Sequence, residues 1–202
     1  MADFNVFEMM LFTLWIYLPG FLVNTFAMMW GKWLPKTGYG PWPIDGGRMH
    51  KDGNRLLGDG KTWNGLIGGS LTSGLLCYLM TMIPENWVFI SPTEAATGWA
   101  ASAFVLGTFL GFTSLIGDST GSYFKRRKGM KREGDVSSKA PLLDTLPFAI
   151  SVFIFGQLFL TGSAHGDREL IVPMVLLVVI TPILHRSFNL IGYKIGWKDV
   201  PY

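Results

Sequence analysis

Five long apolar segments alternate with polar loops along this chain, and they constrain its fold more than any other feature. A helix needs about 20 mainly apolar residues to cross the hydrocarbon core of a bilayer. Only 15% of the residues are charged, against about a quarter in a soluble domain. The sequence therefore predicts an all-α integral membrane protein, a bundle of five transmembrane helices. The predicted spans are about 6–30, 64–83, 96–117, 142–163 and 169–192.

The polar segments between these spans are too short to form a soluble domain. A separate domain would need its own hydrophobic core, and none of these segments is long enough to bury one. We therefore expect residues 1–202 to form a single transmembrane domain with two polar loops, at about 31–63 and 118–141. The first span does not resemble a cleaved signal peptide, because acidic Asp3 and Glu8 stand where basic residues are expected.

The distribution of lysine and arginine predicts the orientation of the chain. Both long loops are basic, whereas the segments before the first span and between the second and third spans contain neither residue type. Because basic loops stay on the cytoplasmic side, we expect a multi-pass protein of the cell membrane with an external N-terminus. Both long loops and the C-terminus are then cytoplasmic. The basic run 125–128 also suits contact with the anionic headgroups of membrane lipids.

Small residues recur about one helical turn apart in the second and third spans. Such rows let neighbouring helices approach closely. We expect them to serve packing inside the bundle, and a homodimer face is the alternative use. The residues are Gly65, Gly69, Ser70 and Gly74 in the second span, and Ala103, Gly107 and Gly111 in the third.

The first polar loop ends in a glycine-rich stretch, residues 57–65, that suits the binding of phosphate. Its glycines permit positive φ, and successive backbone N–H groups can form a nest for an anion. Lys61 adds a cation, and Thr62 adds a hydroxyl for a phosphate or a metal ion. The stretch is similar to the end of a Walker A motif, but Arg55 stands where that motif needs glycine, so we reject a P-loop NTPase. The alternative is an ordinary polar turn in which Asp59 or Thr62 caps the next helix.

An acidic residue, Asp118, follows the third apolar span at the membrane boundary. If the helix continues there, one face carries residues at i, i+4, i+7 and i+8, namely Asp118, Ser122, Lys125 and Arg126. A carboxylate costs about 2.5–3.5 kcal/mol at the centre of a membrane helix and less near its end. Asp118 therefore needs a partner or a metal ion, unless it is simply solvated.

A second acid, Asp144, lies close to the fourth span. Pro147 has no backbone N–H, so we expect the fourth helix to begin near it and Asp144 to lie just before that start. Asp144 is then either an acid favoured by the helix dipole or a metal ligand facing Asp118. Mg²⁺ is usually held by one or two carboxylates together with substrate phosphates. The two acids and the basic residues around them therefore predict a Mg²⁺ site suited to phosphoryl-type transfer.

Together these motifs resemble the archaeal CDP-archaeol synthases, which are CTP:2,3-di-O-geranylgeranylglycerol-1-phosphate cytidylyltransferases. The resemblance covers both loops and the five-span layout, and so nearly the whole chain. The Gly-Asp-Gly-Lys-Thr-Trp block at 58–63 is its specific part. The Gly-Asp-Ser…Lys-Arg block at 117–126 is shared with bacterial and eukaryotic phosphatidate cytidylyltransferases. The other residues that carry the resemblance are Asp45, Asp52, Gly53 and the Pro-Leu-Leu-Asp run at 141–144.

The resemblance implies an activity and its participants. CTP and an isoprenoid ether lipid phosphate would react in the presence of Mg²⁺ to give CDP-archaeol and pyrophosphate, in archaeal phospholipid biosynthesis. The lipid phosphate oxygen would attack the α-phosphorus of CTP in line, with no protein nucleophile. The implied catalytic residues are Asp118, Asp144 and Lys125, of which the two acids would bind the metal. The implied nucleotide-binding residues are Asp59, Lys61, Thr62, Ser122 and Arg126.

Two positions depart from the family pattern. Wider family members tend to carry a further acid where this chain has Pro147, and many close members have arginine where it has Asn64. The first departure means that a third carboxylate ligand for the metal is not predicted here. The second means that the family pattern does not tell which cations of this chain contact the triphosphate.

Three other functions are alternatives to the synthase. A small membrane transporter would use Asp118 as an intramembrane site, but the polar residues collect in loops and not at the midplane, where transporter sites lie. A CDP-alcohol phosphotransferase would need a cluster of aspartates at fixed helical spacing, and the sequence has no such cluster. A non-catalytic adaptor would need only the basic surface. We expect no nucleic-acid partner.

Overall fold

The computed structural model describes residues 5–83, 100–130, 141–160 and 170–194, and the regular structure of these residues is helical. Three helical stretches are long and apolar enough to cross a membrane, and a shorter apolar stretch covers Ile171–Ile183. The three long stretches are Val6–Thr37, Ala103–Arg127 and Leu142–Phe159. The helices are α1 (Val6–Trp33), α2 (Trp63–Met80), α3 (Ala100–Arg127), α4 (Pro141–Phe159) and α5 (Ile171–Lys194), with a 3-10 helix at Leu34–Thr37.

The prediction that a polar loop begins at residue 118 is wrong, because α3 continues to Arg127. Nothing between Gly117 and Arg127 breaks a helix, and the last turn carries three basic residues that the negative end of the helix dipole favours. The predicted loop 118–141 is thus helical over its first ten residues, while 131–140 lie outside the described residues.

The predicted span from about 142 agrees with the observed start of the fourth helix, but the expectation that Pro147 marks this start is wrong. The helix begins at Pro141, which places Asp144 in its first turn and Pro147 inside it. Proline suits the first helical position because the N–H it lacks would have no partner there, so Pro141 and not Pro147 marks the start. Pro147 has no N–H to donate to the Leu143 carbonyl within the helix, and this carbonyl packs closely against Gly121 of α3.

The rows of small residues pack inside the chain, as predicted. Gly65 and Gly69 of α2 lie against Ala27 of α1, and a Cβ on either glycine would sit about 3.0 Å from that residue. On the opposite side of α2, Gly74 lies against Phe104 and Thr108 of α3. Close approach of this kind is what small residues provide in membrane bundles. The internal use of these rows is confirmed.

A serine ties the three helices together where they meet. The hydroxyl of Ser73 in α2 lies 3.0 Å from the carbonyl oxygens of Pro19 in α1 and Gly107 in α3, so these two acceptors share its one hydrogen. A hydroxyl that is fully buried in an apolar bundle needs such acceptors, because water is not available to it. The hydrogen bonds therefore hold α1 and α3 on either side of α2.

The second half of the bundle closes against α1 through an aromatic and aliphatic core. Tyr17 of α1 is fully buried, and its ring meets Phe153 of α4 edge to face at 4.9 Å between centroids. Leu177 of α5 belongs to the same buried cluster. This packing places the C-terminal end of α1 beside the start of α2, and the end of α3 beside the start of α4. The polar segments therefore meet at one end of the bundle.

Candidate active site

Two lysine–aspartate ion pairs form the centre of this polar end. Lys61, from the loop before α2, donates to Asp118 of α3, and Lys125 of α3 donates to Asp144 of α4. The four side chains are only 11–22% exposed. Charges this poorly solvated need partners, since their hydration has been lost. Four of the residues singled out in the sequence thus lie in two contacts that link the first loop, α3 and α4.

The geometry of α3 explains why one helix contributes to both pairs. Asp118 and Lys125 are seven residues apart, which places them on one face about two turns apart. Ser122 lies between them on that face and is buried. Gly117 and Gly121 face α4, where a Cβ on either would overlap a backbone carbonyl oxygen of Pro147 or Leu143. The glycines thereby let α4 approach closely enough for Asp144 to reach Lys125.

The carboxylates at this polar end suit a divalent cation whose other ligands come from water and from a substrate. Among the described residues, His, Cys, Asp and Glu form no group of three or more that could hold a metal ion. Two carboxylates on adjacent helices are nevertheless the usual protein contribution to a Mg²⁺ site completed by water and substrate phosphates. Each carboxylate already attracts a cationic group, which shows that positive charge is favoured at both positions.

The glycine-rich loop does form a nest for an anion, but the anion is Asp45 of the same loop. The prediction that these N–H groups are free for phosphate is wrong for Leu57 and Gly58, because both donate to Asp45 Oδ2 at 3.0 Å. The Asp45 side chain is 1% exposed and accepts five hydrogen bonds in all. Its donors are the backbone N–H groups of Gly47, Leu57 and Gly58 and the Nε and Nη2 groups of Arg55.

These contacts keep Asp45 ionised. Burial alone raises the pKa of the Asp45 carboxyl, but hydrogen bonds from Arg55 and from the N–H groups of Gly58, Leu57 and Gly47 outweigh it. The pKa of Asp45 is therefore held well below its ordinary value. A carboxyl with a lowered pKa stabilises the folded loop above its ordinary pKa, and this contribution is lost only as the pH falls toward the lowered value.

Two arginines at the end of α3 bind the loop to the bundle. Arg127 donates to the Arg55 carbonyl at 2.7 Å, and its Nη1 lies 2.7 Å from an Asp52 carboxylate oxygen. Arg126 donates to the carbonyl of Leu57 at 3.4 Å. Gly58 has φ +94°, and a Cβ there would lie 3.1 Å from the Arg126 guanidinium. Glycine is suited to this turn because it adopts positive φ without strain and leaves room for the arginine.

The two remaining nucleotide-binding candidates have local partners. The Thr62 hydroxyl accepts from the Gly65 N–H at 3.1 Å and forms the N-cap of α2. Thr62 is 7% exposed, so the capping alternative is the observed one. Asp59 is mostly exposed and pairs with Arg55 at 2.7 Å, as expected for residues four apart in a polar turn.

Asn64, one of the departures from the family pattern, is buried and holds the chain that leads into this loop. Its amide donates to the Tyr39 carbonyl at 3.1 Å and accepts from the Trp42 N–H at 3.3 Å. Gly40 packs directly against the Asn64 side chain. In this chain the position therefore contributes structure to the loop.

Comparison with known proteins identifies the family. A family model described as "CarS-like: CDP-archaeol synthase" matches residues 6–202. The chain belongs to the CDP-archaeol synthase family. Its relatives include CDP-archaeol synthases of Thermococcus gammatolerans, 36% identical with 96% of each chain covered, and of Methanosarcina barkeri, 36% identical with 92% of this chain and 99% of the relative covered.

A solved structure agrees with this assignment. It is described as an intramembrane enzyme for archaeal membrane lipids biosynthesis. Its TM-score is 0.58 at 27% sequence identity, with 88% of this chain and 92% of that chain covered. The CDP-archaeol synthase resemblance noted from the sequence is confirmed.

Three residues of the polar end were not predicted to matter there. In the sequence, Asp45 indicates only the family resemblance and Arg55 only the absence of a P-loop. Arg127 is one residue of a basic run. The Asp45–Gly46–Gly47 turn was the available local signal, because an aspartate often accepts from the N–H two residues later. Asp45 does accept from Gly47 at 3.1 Å. The more distant donors leave no mark in the local sequence.

Proposed function

We propose that this chain transfers CMP from CTP to 2,3-di-O-geranylgeranylglycerol 1-phosphate, giving CDP-archaeol and pyrophosphate. The observation that supports the site most strongly is that Asp118 and Asp144, each paired with a lysine, lie at the same end of an apolar helix bundle. Such a site lets the isoprenoid tails stay in the bilayer while the phosphate head reaches the charged end. Membership of the synthase family supports the same reaction.

In the proposed reaction an oxygen of the lipid phosphate attacks the α-phosphorus of CTP. The new P–O bond forms as the bond to the β-phosphate breaks, and the electron pair leaves with pyrophosphate. No protein nucleophile is required, since the lipid phosphate is already an anion. Catalysis then depends on positioning and on neutralising negative charge.

Asp118 and Asp144 are the proposed ligands of Mg²⁺. When bound, the metal would supply charge neutralisation and polarise phosphate oxygens. Lys61 and Lys125, which contact these acids in the structure, are proposed to move their charges to the phosphates of CTP. Ser122 and Asp59 remain proposed nucleotide contacts. Thr62 and Arg126 are proposed to act mainly by holding the loop, given their hydrogen bonds to it.

An assay of lipid-dependent CMP transfer separates this function from its rivals. Purified chain in detergent, given radiolabelled CTP, Mg²⁺ and the prenylated glycerol phosphate, is expected to form a labelled lipid and to release pyrophosphate only when the lipid is present. The family assignment does not support the transporter, and Asp118 lies in the last third of α3, paired with Lys61. Absence of lipid-dependent pyrophosphate release from folded protein would contradict the synthase.

We further propose that residues 1–202 form one domain in which all five helices cross the membrane, with an external N-terminus and a cytoplasmic polar end. The arrangement of α1 to α4, with both polar segments at one end, supports this orientation. Trp30, Trp33 and Trp63 lie partly exposed at that end, as interfacial aromatic residues do. A reporter fused at Gly40 is expected to be cytoplasmic, and an external reporter there would reverse the topology.

A further inference from the structure

We propose that Asp45 is a positioning residue for the reaction, which holds the turn that delivers Lys61 to Asp118. The inference rests on the role proposed above for Lys61. Asp45 is buried and is not itself assigned a contact with a substrate. It combines an almost fully buried charge with five hydrogen bonds inside a loop that is otherwise mainly exposed.

The contacts run from Asp45 to Lys61 through the backbone. Asp45 fixes the N–H groups of Leu57 and Gly58, and the Gly58 carbonyl accepts from the Lys61 N–H at 3.2 Å. The carbonyl of Lys61 accepts in turn from Ile44, the residue before Asp45, at 2.8 Å. The backbone of Lys61 is therefore held on both sides by the segment that Asp45 organises, and its side chain projects to Asp118.

The chemistry of the nest makes the carboxylate difficult to replace. Oδ1 accepts from Gly47 and from Arg55 Nη2, and Oδ2 accepts from Arg55 Nε, Leu57 and Gly58. In Asp45→Asn one of these oxygens becomes an NH₂ group, which would face at least two N–H donors in either orientation. A buried donor that meets other donors costs its full desolvation energy. The variant should therefore open the turn while leaving the helices in place.

The charge on Asp45 also connects the loop to α3. Arg55, held by both oxygens of Asp45, offers its carbonyl to Arg127 of α3 at 2.7 Å. The same turn presents the Leu57 carbonyl to Arg126. Loss of the Asp45 charge is thus expected to loosen the contact of the loop with α3 on the side where Lys61 meets Asp118.

The first test measures where the Lys61 side chain is, without reference to activity. Ligand-free protein is treated briefly with an amine-acylating reagent, and labelling of each lysine is read by mass spectrometry. In Asp45→Asn we expect Lys61 labelling to rise about tenfold, the equivalent of one lost hydrogen bond to a charged group. Lys125, paired with Asp144 outside the loop, is the internal control and should not change. Unchanged Lys61 labelling would overturn the proposal, and so would an equal rise at both lysines, which would indicate general unfolding.

The second test asks whether Asp45 acts on catalysis through Lys61. A double-mutant cycle compares kcat/KM for CTP in Asp45→Asn, Lys61→Ala and the double variant. If Asp45 acts through Lys61, Asp45→Asn should lower kcat/KM little further in a chain that already carries Lys61→Ala. Lys51→Ala, in the exposed part of the same loop, is the control. In a chain that carries Lys51→Ala, Asp45→Asn should have its full effect. Full additivity with Lys61→Ala would refute the positioning role. Wild-type kinetics in Lys61→Ala would instead refute the proposed function of Lys61, while the labelling result would still report on Asp45.

Discussion

Asp118→Asn is expected to lower the rate of lipid-dependent pyrophosphate release by about 100-fold or more, since even residues that only support metal ligands cost about 10–100-fold when replaced. The substitution keeps the size of the side chain but removes its charge. A proposed metal ligand is lost, and Lys61 is left only 22% exposed beside a neutral amide. Asp144→Asn should have a comparable effect, because it removes the second proposed ligand and the partner of Lys125.

A matched control for these variants lies at the other end of the bundle. Glu8 completes the capping box of α1 with Asn5, and glutamine can make the same hydrogen bond. Glu8→Gln therefore removes one negative charge with little structural effect and should keep wild-type activity. The rates are to be measured at saturating Mg²⁺ on protein whose thermal unfolding has been checked. Wild-type activity in Asp118→Asn or in Asp144→Asn under these conditions would refute the corresponding metal assignment.

Gly121→Ala is expected to destabilise the bundle and to impair the site together. A Cβ at this position would overlap the carbonyl oxygen of Leu143, and a backbone atom cannot rotate away as a side chain can. Overpacking of this kind typically costs about 1–3 kcal/mol. The strain would be relieved by moving the start of α4 away from α3. Asp144 lies in that first turn, so its contact with Lys125 should be lost as well.

The prediction for Gly121→Ala is checked by thermal unfolding in detergent and by the rate of CMP transfer in the same preparation. Gly31→Ala in α1 is the matched control, because its added Cβ would lie an ordinary 3.6 Å from the Thr62 hydroxyl. Alanine also has the better helix propensity, so this control should be neutral or slightly stabilising. If Gly121→Ala were as stable and as active as Gly31→Ala, close packing of α3 on α4 would not be what positions Asp144.

The general architecture could be predicted from the sequence because it depends on strong, local patterns. Long apolar blocks located the helices, and the spacing of Asp118 and Lys125 placed both on one face once the helix was allowed to continue. The helix ends were harder to predict. The sequence favours Pro147 as the start of α4, although Pro141 also fits the first helical position and is the observed one. Sequence alone does not say which of two prolines a helix accommodates in its interior.

The role of the glycine-rich loop could not be predicted for a different physical reason. Backbone N–H groups that form a nest attract any anion, and a phosphate and a buried carboxylate satisfy them equally well. Asp45 lies 12 and 13 residues before its donors Leu57 and Gly58. No helical or strand periodicity connects residues at that distance in a loop. The choice between an internal and an external anion is therefore made by tertiary structure.

The central claim is that Asp118 and Asp144 together bind a divalent cation with CTP. Binding of Mn²⁺, a paramagnetic substitute for Mg²⁺, can be followed by electron paramagnetic resonance on purified protein with and without CTP. We expect the nucleotide to strengthen metal binding to the wild-type chain and to Glu8→Gln. Each of Asp118→Asn and Asp144→Asn should weaken it by about tenfold or more. Unchanged Mn²⁺ affinity in either aspartate variant, in the presence of CTP, would contradict the account.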